Sequence, residues 1–188
     1  MDADRSLANH FLIAVPTLND PNFSRGVTLL CQHNEEGAMG LVINRLSNFR
    51  LGEILRQMDI ETDDDVLADT PVLAGGPVQV ERGFVLHSPE RQDWDSTFVI
   101  SDDLCLTTSR DVLKAMANGE GPERAVVALG YAGWTAGQLE TELQQDAWIT
   151  VRVDPDILFE TDLDDRWLAA ARLIGVDLNL LISHSGHA

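Results

Sequence analysis

Lysine is almost missing from this chain of 188 residues, which carries only Lys114 and twelve arginines against 31 acidic residues. The formal net charge is −18 at pH 7. Proteins that bind nucleic acid need a dense cationic surface to displace counterions from phosphates. The field of this chain instead repels DNA, RNA and anionic lipid, and it favours basic partners. We therefore expect no direct contact with nucleic acid or with a membrane.

Cysteine and long apolar runs are scarce as well. Two cysteines do not make a disulfide framework, and both Cys31 and Cys105 stand among leucines. We interpret them as reduced, buried thiols of a cytoplasmic protein. No apolar run approaches the ~18 residues of a membrane span. The stretch 11–15 ends at Pro16 and is too short for the apolar core of a signal peptide.

The motifs of well-known enzyme classes are also absent from the sequence. It contains no P-loop, no dinucleotide fingerprint, no nucleophile elbow, no Cys-x-x-Cys and no His-Glu-x-x-His. Cys31, His33 and His87 would form a zinc site only if the fold united them, and nothing in their spacing demands it. We predict no metal and no cofactor, and the sequence favours a protein that is not an enzyme, with catalytic residues unknown.

The hydrophobic pattern predicts one α+β domain over residues 1–188, with loose tails at 1–8 and 183–188. The acidic run 59–69 is too short to separate domains and is interpreted as a solvated loop. Short apolar runs predict strands at 11–15, 27–32, 40–44, 71–74, 83–87, 97–100, 125–130 and 148–153. Apolar stripes of helical period predict about four helices, around 51–58, 112–116, 139–143 and 167–174.

Pairing in the sheet is predicted to be partly antiparallel. The segment 33–37 between two strands is typical of a hairpin loop, with Gly37 supplying a positive φ. Strands come in runs and do not alternate strictly with helices. This pattern favours α+β over a doubly wound parallel sheet.

The first of two unusual segments is 74–87, in which Gly75 and Gly76 precede Pro77. Paired glycines before a proline fix an unusual backbone path and allow close approach of another chain or a ligand. One hypothesis is a backbone cradle in which Arg82 clamps an anion and His87 donates a proton. The alternative is a tight turn between strands, with Arg82 paired to a surface carboxylate and His87 ending a strand.

The second segment is 130–134, which leads from a strand into a capped helix. Backbone N–H groups after Gly130 and Gly133 could hold an anion at the helix N-terminus. Tyr131 and Trp134 could stack on a planar ligand or a partner side chain. The alternative is a strand-to-helix turn whose aromatic residues fill the edge of the core.

Asn44 and Arg45 follow an apolar strand and complete the set of candidate binding residues. Arg45 could bind a carboxylate or a phosphate, although an arginine at a strand end is more often solvated. We predict that both lie near the two glycine-rich segments.

Several motifs follow one another along nearly the whole chain: PTLNDPNF at 16–23, CQHN at 31–34, GAMGLVINR at 37–45, GGPV from 75, and GYAGW from 130. In this order they resemble the YqgE/AlgH family of bacterial proteins. Leu46 stands where we expect a proline after Asn-Arg. The resemblance implies an α+β fold with a barrel-like antiparallel sheet. It also implies no assigned biochemical activity and no agreed catalytic residues, and one branch is labelled a transcriptional regulator of alginate production.

These observations favour a non-catalytic cytosolic regulator or adaptor that binds a protein partner or a small ligand at the two glycine-rich segments. An enzyme of unrecognised type, with His87 as acid/base and Arg45 or Arg82 as anion clamp, is the alternative. A regulator acting directly on DNA is disfavoured by the charge. The sequence leaves the partner, the ligand and the oligomeric state unknown.

Overall fold

The structure, a computed structural model, describes residues 6–15 and 25–175. The motif at 16–23 and the predicted tail at 183–188 lie outside the described residues. Within the predicted N-terminal tail, the Ser6 hydroxyl donates to the His33 carbonyl oxygen at 3.0 Å. The Leu7 N–H donates to His33 Nδ1 at 2.8 Å, so these two residues are tied to the sheet.

Strands dominate the described part of the chain. They are β1 (His10–Ala14), β2 (Val27–Asn34), β3 (Gly37–Val42), β4 (Leu46–Arg50), β5 (Pro71–Ala74), β6 (Val78–His87), β7 (Thr97–Ser101), β8 (Leu104–Thr107), β9 (Ala125–Thr135) and β10 (Trp148–Arg152). The helices are α1 (Leu51–Gln57), α2 (Asp65–Ala68), α3 (Arg110–Ala117), α4 (Gln138–Gln144), α5 (Pro155–Phe159) and α6 (Arg166–Arg172), with a 3₁₀ turn at Leu163–Asp165 before α6.

The sheet is mostly antiparallel and curls into a half-barrel, which confirms the predicted α+β class. Its strands run in the order β10-β1-β2-β3-β9-β6-β8-β7. Strand β5 pairs in parallel with β9, and β4 pairs with β5. Strands β10 and β7 are therefore the two ends of the main path.

Two strands and helix α2 go beyond the sequence prediction, whereas Asp154 and Pro155 already indicate a short helical turn where α5 begins. Strand β8 is only four residues long, and β4 has an almost wholly exposed pattern, so neither carries a clear period of two. The acidic run 59–69 is not only a loop, because it contains α2. That helix begins where an Asp64 carboxylate oxygen accepts the Leu67 N–H at 3.0 Å. Helix α5 opens with Pro155 at its first turn.

Strand β9 organises the centre of the molecule, because it pairs with β3, β5 and β6. It does not end at Gly130 as predicted but continues to Thr135. Successive side chains of a strand point to opposite faces. Ala132 and Trp134 accordingly belong to a buried cluster with Leu139, whereas Tyr131 lies on the face that carries the largest buried cluster. This alternation determines which residues can form a surface site.

Candidate ligand-binding groove

The two glycine-rich segments meet in the structure through their backbones. The Gly75 N–H donates to the Leu129 carbonyl oxygen at 2.7 Å. Just beyond, Val78 pairs with Tyr131 in the β6–β9 ladder. On its other side, the Gly75 carbonyl oxygen accepts the Val42 N–H at 2.8 Å. Segment 74–87 is therefore joined to β9 and to the end of β3.

Glycine is required at this joint because the two backbones touch. A Cβ on Gly76 would overlap the carbonyl group of Tyr131, and a Cβ on Gly130 would overlap the carbonyl oxygen of Gly76. Gly130 also has a φ of +75°, which other residues rarely adopt. Pro77 is exposed beside this contact. The paired glycines thus permit close approach of two strands of the same chain.

An open groove of about 680 Å³ lies next to the joint, between the β2–β3 hairpin and strands β6 to β8. Its buried lining is apolar and comes from Cys31, Phe84 and Leu106, with Met39 and Tyr131 partly buried beside them. The Tyr131 ring meets the Phe84 ring edge to face, with centroids 5.8 Å apart. The floor can therefore bury the apolar part of a bound molecule.

Arg82 lies on the rim of the groove, in a bulge of β6. The register passes from Val78 opposite Tyr131 to Gly83 opposite Leu129, so residues 79–82 loop out of the ladder. The Arg82 guanidinium stands over the Phe84 ring, 5.4 Å from its centroid. It also donates a long hydrogen bond of 3.5 Å to Gln79 Oε1.

Within the part of the chain that the structure describes, Arg82 forms no ion pair with a carboxylate. Glu36 is the acidic residue on the rim, from the β2–β3 hairpin. The remaining exposed lining consists of Phe98 and of polar or small residues: Gln32, Thr108, Gly133 and Thr135. The groove thus combines an apolar floor with one arginine that is available to an anion.

A smaller cavity of about 220 Å³ adjoins the groove. The two share Arg82, Phe84 and Thr108, so these side chains stand between them. The inner wall of the smaller cavity is apolar and includes Leu113 and Val127.

His87 does not take part in the groove. Its side chain lies in the core, with 0% of the residue exposed. One ring nitrogen, Nδ1, is 2.8 Å from the Ser88 carbonyl oxygen, and Nε2 is 2.7 Å from Thr107 Oγ1. Both nitrogens are therefore engaged within the protein, because β6 places His87 between β8 and β9. This geometry gives no support to the hypothesis that His87 donates a proton to a ligand, and it agrees with the alternative interpretation that His87 ends a strand.

Trp134 borders the groove, but its indole packs away from it. The residue is 6% exposed, and its indole N–H donates to Glu142 Oε1 at 3.2 Å. The Trp148 indole N–H donates to the same oxygen at 3.0 Å, and the two rings meet edge to face. Trp134 therefore fills the core, as in the alternative interpretation, while Tyr131 and Gly133 line the groove.

Asn44 and Arg45 lie beside the glycine joint and do not line the groove. The Asn44 side chain accepts the Val27 N–H and donates to the Arg25 carbonyl oxygen, both at 2.9 Å. The Arg45 carbonyl oxygen accepts the Ala74 N–H at 2.9 Å. The backbone contact with Ala74 makes Arg45 a direct neighbour of segment 74–87, whereas the Asn44 side chain is bonded to residues 25 and 27.

Cys31 contributes a buried thiol to the floor of the groove. Burial raises the pKa of its thiol from 9.0 to about 12. A thiol that stays protonated at neutral pH is a poor nucleophile. None of the described histidines lines the groove. Among residues 6–15 and 25–175, no three His, Cys, Asp or Glu side chains are grouped to hold a metal ion.

Comparison with known proteins decides the family. The pattern of the family described as DUF179, AlgH-like, matches residues 11–179. The chain belongs to the AlgH-like family. It is similar to the UPF0301 protein of Xanthomonas campestris pv. campestris strain 8004, with 57% identity over 182 residues, 97% of this chain and 96% of that protein. A UPF0301 protein of Xanthomonas oryzae pv. oryzae is 56% identical over the same length.

Two solved structures resemble the AlgH-like chain over nearly their full length. The solution structure of the AlgH protein from Pseudomonas aeruginosa has a TM-score of 0.81 and 48% identity, and the match covers 100% of this chain and 99% of that one. Protein DIP2367 from Corynebacterium diphtheriae has a TM-score of 0.75 at 18% identity, covering 96% and 93%, and shows the shared fold. The expected family membership is confirmed.

Several groove residues are not evident from the sequence. Met39 and Phe84 lie inside the glycine-rich motifs, but an apolar side chain there carries no signal that separates a groove floor from a core. Phe98 and Leu106 come from β7 and β8, far along the chain. If β9 were predicted to continue past Gly130, the alternation of its side chains would assign Tyr131 and Trp134 to opposite faces of the sheet.

Proposed function

We propose that this AlgH-like protein is a non-catalytic regulator that binds a small amphipathic anion in the groove. The observation that carries the proposal is the pairing of an apolar floor with Arg82, a rim arginine that has no carboxylate partner among the described residues. The floor of Phe84, Leu106 and Tyr131 would hold the apolar body of the ligand. The Arg82 guanidinium would hold its carboxylate by charge-assisted hydrogen bonds.

The chemistry of the groove supports binding over catalysis. General acid–base work needs a titratable group within hydrogen-bond reach of the substrate. His87, the residue considered for that role, is enclosed by Ser88 and Thr107. Cys31, the buried thiol of the floor, has its pKa raised to about 12 by burial. The hypothesis of an enzyme that uses His87 therefore has no geometric support at this site.

Charge and composition support the cellular setting that we infer. A net charge of −18 opposes direct contact with DNA, so any effect on transcription would pass through a ligand or a protein partner. Cys31 and Cys105 are both free and buried, which suits a reducing compartment. Over the described stretches, no helix is long and apolar enough to cross a membrane. We propose a cytoplasmic location on the ground of the two buried thiols alone.

Calorimetric titration with octanoate and with 1-octanol tests the proposal. The two probes share an apolar chain and differ in the carboxylate. We expect octanoate to bind more tightly to the wild-type protein, by about tenfold to a hundredfold, since one charge-assisted contact is worth about 1.5–3 kcal/mol. Arg82→Ala should remove this preference and leave the octanol affinity unchanged.

Arg152→Ala is the matched control, because it removes the same charge from an exposed position at the end of β10. It should leave both affinities unchanged. If neither probe binds, or if the two arginine variants behave alike, the groove is not a site for amphipathic anions.

A further inference from the structure

Strand β7 forms an open edge of the sheet beside the groove. It is the last strand of the path and pairs with β8 alone among the described elements. The outer side of such a strand presents backbone N–H and C=O groups that can pair with another chain. No described strand pairs with the outer side of β7, which leaves that side open to a partner.

The register identifies which backbone groups face outward. The Thr108 N–H donates to the Ser96 carbonyl oxygen at 3.1 Å, so residues 96 and 108 form a hydrogen-bonded pair. Hydrogen-bonded and non-hydrogen-bonded pairs of residues alternate along an antiparallel ladder. Phe98 opposite Leu106 is then hydrogen-bonded, whereas Thr97 and Val99 direct their N–H and C=O groups away from β8.

Thr97 Oγ1 and Thr107 Oγ1 are only 2.9 Å apart. This agrees with a non-hydrogen-bonded pair at Thr97 and Thr107, since side chains lie closer together in such pairs. A partner strand would therefore pair with Thr97 and Val99. The bulge between Val99 and Ser101 ends the regular edge, which limits the added pairing to a short segment.

Apolar side chains are exposed on both faces of this edge. Phe98 is 46% exposed and Val99 is 49% exposed. Phe98 also forms part of the groove wall. The opposite end strand, β10, has no large apolar residue exposed to that degree. An added strand would cover Phe98 on one face and Val99 on the other.

The charges around the edge define the partner. Asp95 precedes β7, and Asp102 and Asp103 follow it, all three exposed. The whole chain carries a charge of −18, which opposes pairing with a second copy of itself. A partner segment with Lys or Arg at both ends and apolar residues between them complements this surface.

We propose that β7 is a docking site for an extended basic segment of another protein, which adds to the sheet as a strand. This site lies beyond the proposed ligand groove and shares only Phe98 with it. Failure of one proposal therefore leaves the other standing, because the groove is tested with octanoate and this edge with a peptide.

The probe is the peptide acetyl-KRVTVTVRK-amide, and its control is the same peptide N-methylated throughout the central Val/Thr block. Both carry the same charge, but the methylated one cannot donate backbone hydrogen bonds. We expect the first to bind about tenfold more tightly in calorimetric titration, since several backbone bonds are involved. Equal binding would reduce the interaction to charge alone and would overturn the proposal.

Val99→Pro tests the edge from the protein side. The Val99 N–H faces away from β8, so proline removes an outward donor and leaves the β8 ladder intact. Peptide affinity should fall about tenfold while the circular dichroism spectrum stays unchanged. Unchanged affinity in the folded variant would contradict the proposal. If it does not fold, the comparison of the two peptides on the wild-type protein decides alone.

Two double variants test whether the aspartates that follow β7 contribute to peptide affinity. Asp102→Asn with Asp103→Asn should weaken peptide binding about threefold or more at low salt. Glu61→Gln with Asp63→Asn makes the same change in net charge at exposed positions elsewhere and should leave affinity unchanged. Equal effects of the two pairs would overturn the local charge argument. Dimerisation of the wild-type protein that Val99→Pro abolishes would make the occupant a second copy and would also overturn the proposal.

Discussion

Gly130 and Gly119 allow a direct test of the glycine joint, because their backbones have almost the same conformation, with φ of +75° and +76°. A Cβ at Gly130 would overlap the carbonyl oxygen of Gly76, whereas at Gly119 nothing lies within 4 Å. The left-handed backbone costs an alanine roughly 1–2 kcal/mol at either position. Overlap with a packed neighbour typically adds about 1–3 kcal/mol.

We therefore expect Gly119→Ala to lower the free energy of unfolding by about 1–2 kcal/mol, and Gly130→Ala to lower it by about 2–5 kcal/mol. Urea denaturation followed by tryptophan fluorescence measures both, provided that the m-value is unchanged. The additional loss at Gly130 corresponds to a fall in Tm of several degrees, at about 2–4 °C per kcal/mol for a chain of this size.

Gly83→Ala is the control for the alanine side chain itself. Gly83 has no positive φ, and nothing lies within 4 Å of a Cβ placed there. Its effect should be close to zero. If Gly119→Ala and Gly130→Ala lose the same free energy, backbone conformation alone accounts for Gly130, and the contact with Gly76 is not a close-packed joint.

Three further predictions concern buried or paired groups. His87→Ala should lower the free energy of unfolding by about 2–4 kcal/mol, because it leaves a cavity and removes the hydrogen bonds to the Ser88 carbonyl oxygen and the Thr107 hydroxyl, and it should not change octanoate affinity. Cys31, whose pKa rises from 9.0 to about 12, should react with iodoacetamide about a thousandfold more slowly in the native protein than when unfolded. A hydrogen bond from His33 lowers the pKa of Glu140 below 4.5, so the carboxylate stabilises the fold above that pH and this contribution is lost as the pH falls through the lowered pKa. The Glu140 side chain is 38% exposed, so solvent weakens this contribution. Above pH 4.5 the free energy of unfolding of the wild type should exceed that of Glu140→Gln by about 1 kcal/mol or less, and the two free energies should converge at more acidic pH.

Each of these has a result that would contradict it. Loss of octanoate binding in a folded His87→Ala variant would link that residue to the groove after all. Fast native labelling of a Cys105→Ser variant, in which Cys31 is the remaining cysteine, would mean that Cys31 is accessible as a thiolate. A wild-type advantage over Glu140→Gln that grows as the pH falls below 4.5 would mean that the carboxylate does not stabilise the fold in its ionised form.

Features set by neighbouring residues could be predicted from the sequence. The β2–β3 hairpin has Gly37 at a φ of +140°, as its position in the loop predicts. Helix α1 buries Leu51, Ile54 and Leu55 along one stripe, as the helical period predicts. In each case the deciding interactions lie within one turn or one loop.

The groove could not be predicted in this way, because it depends on which strands become neighbours. The local sequence predicts a strand end at Gly130, yet contact with Gly76 allows β9 to continue with a left-handed residue in its middle. The continued alternation turns Trp134 into the core and Tyr131 to the groove. His87 is predicted to end a strand, as it does, but the local sequence does not show that the pairing of β6 with β8 and β9 encloses its side chain.

The central claim is that the AlgH-like groove binds amphipathic anions through its apolar floor and Arg82. Titration of ¹⁵N-labelled protein with octanoate, followed by amide chemical shifts, tests it most directly. We predict that the largest shifts fall at Met39, Arg82, Tyr131 and Gly133, and that they saturate with one affinity. Shifts confined to other surfaces, or no saturable shifts at the groove, would contradict the claim.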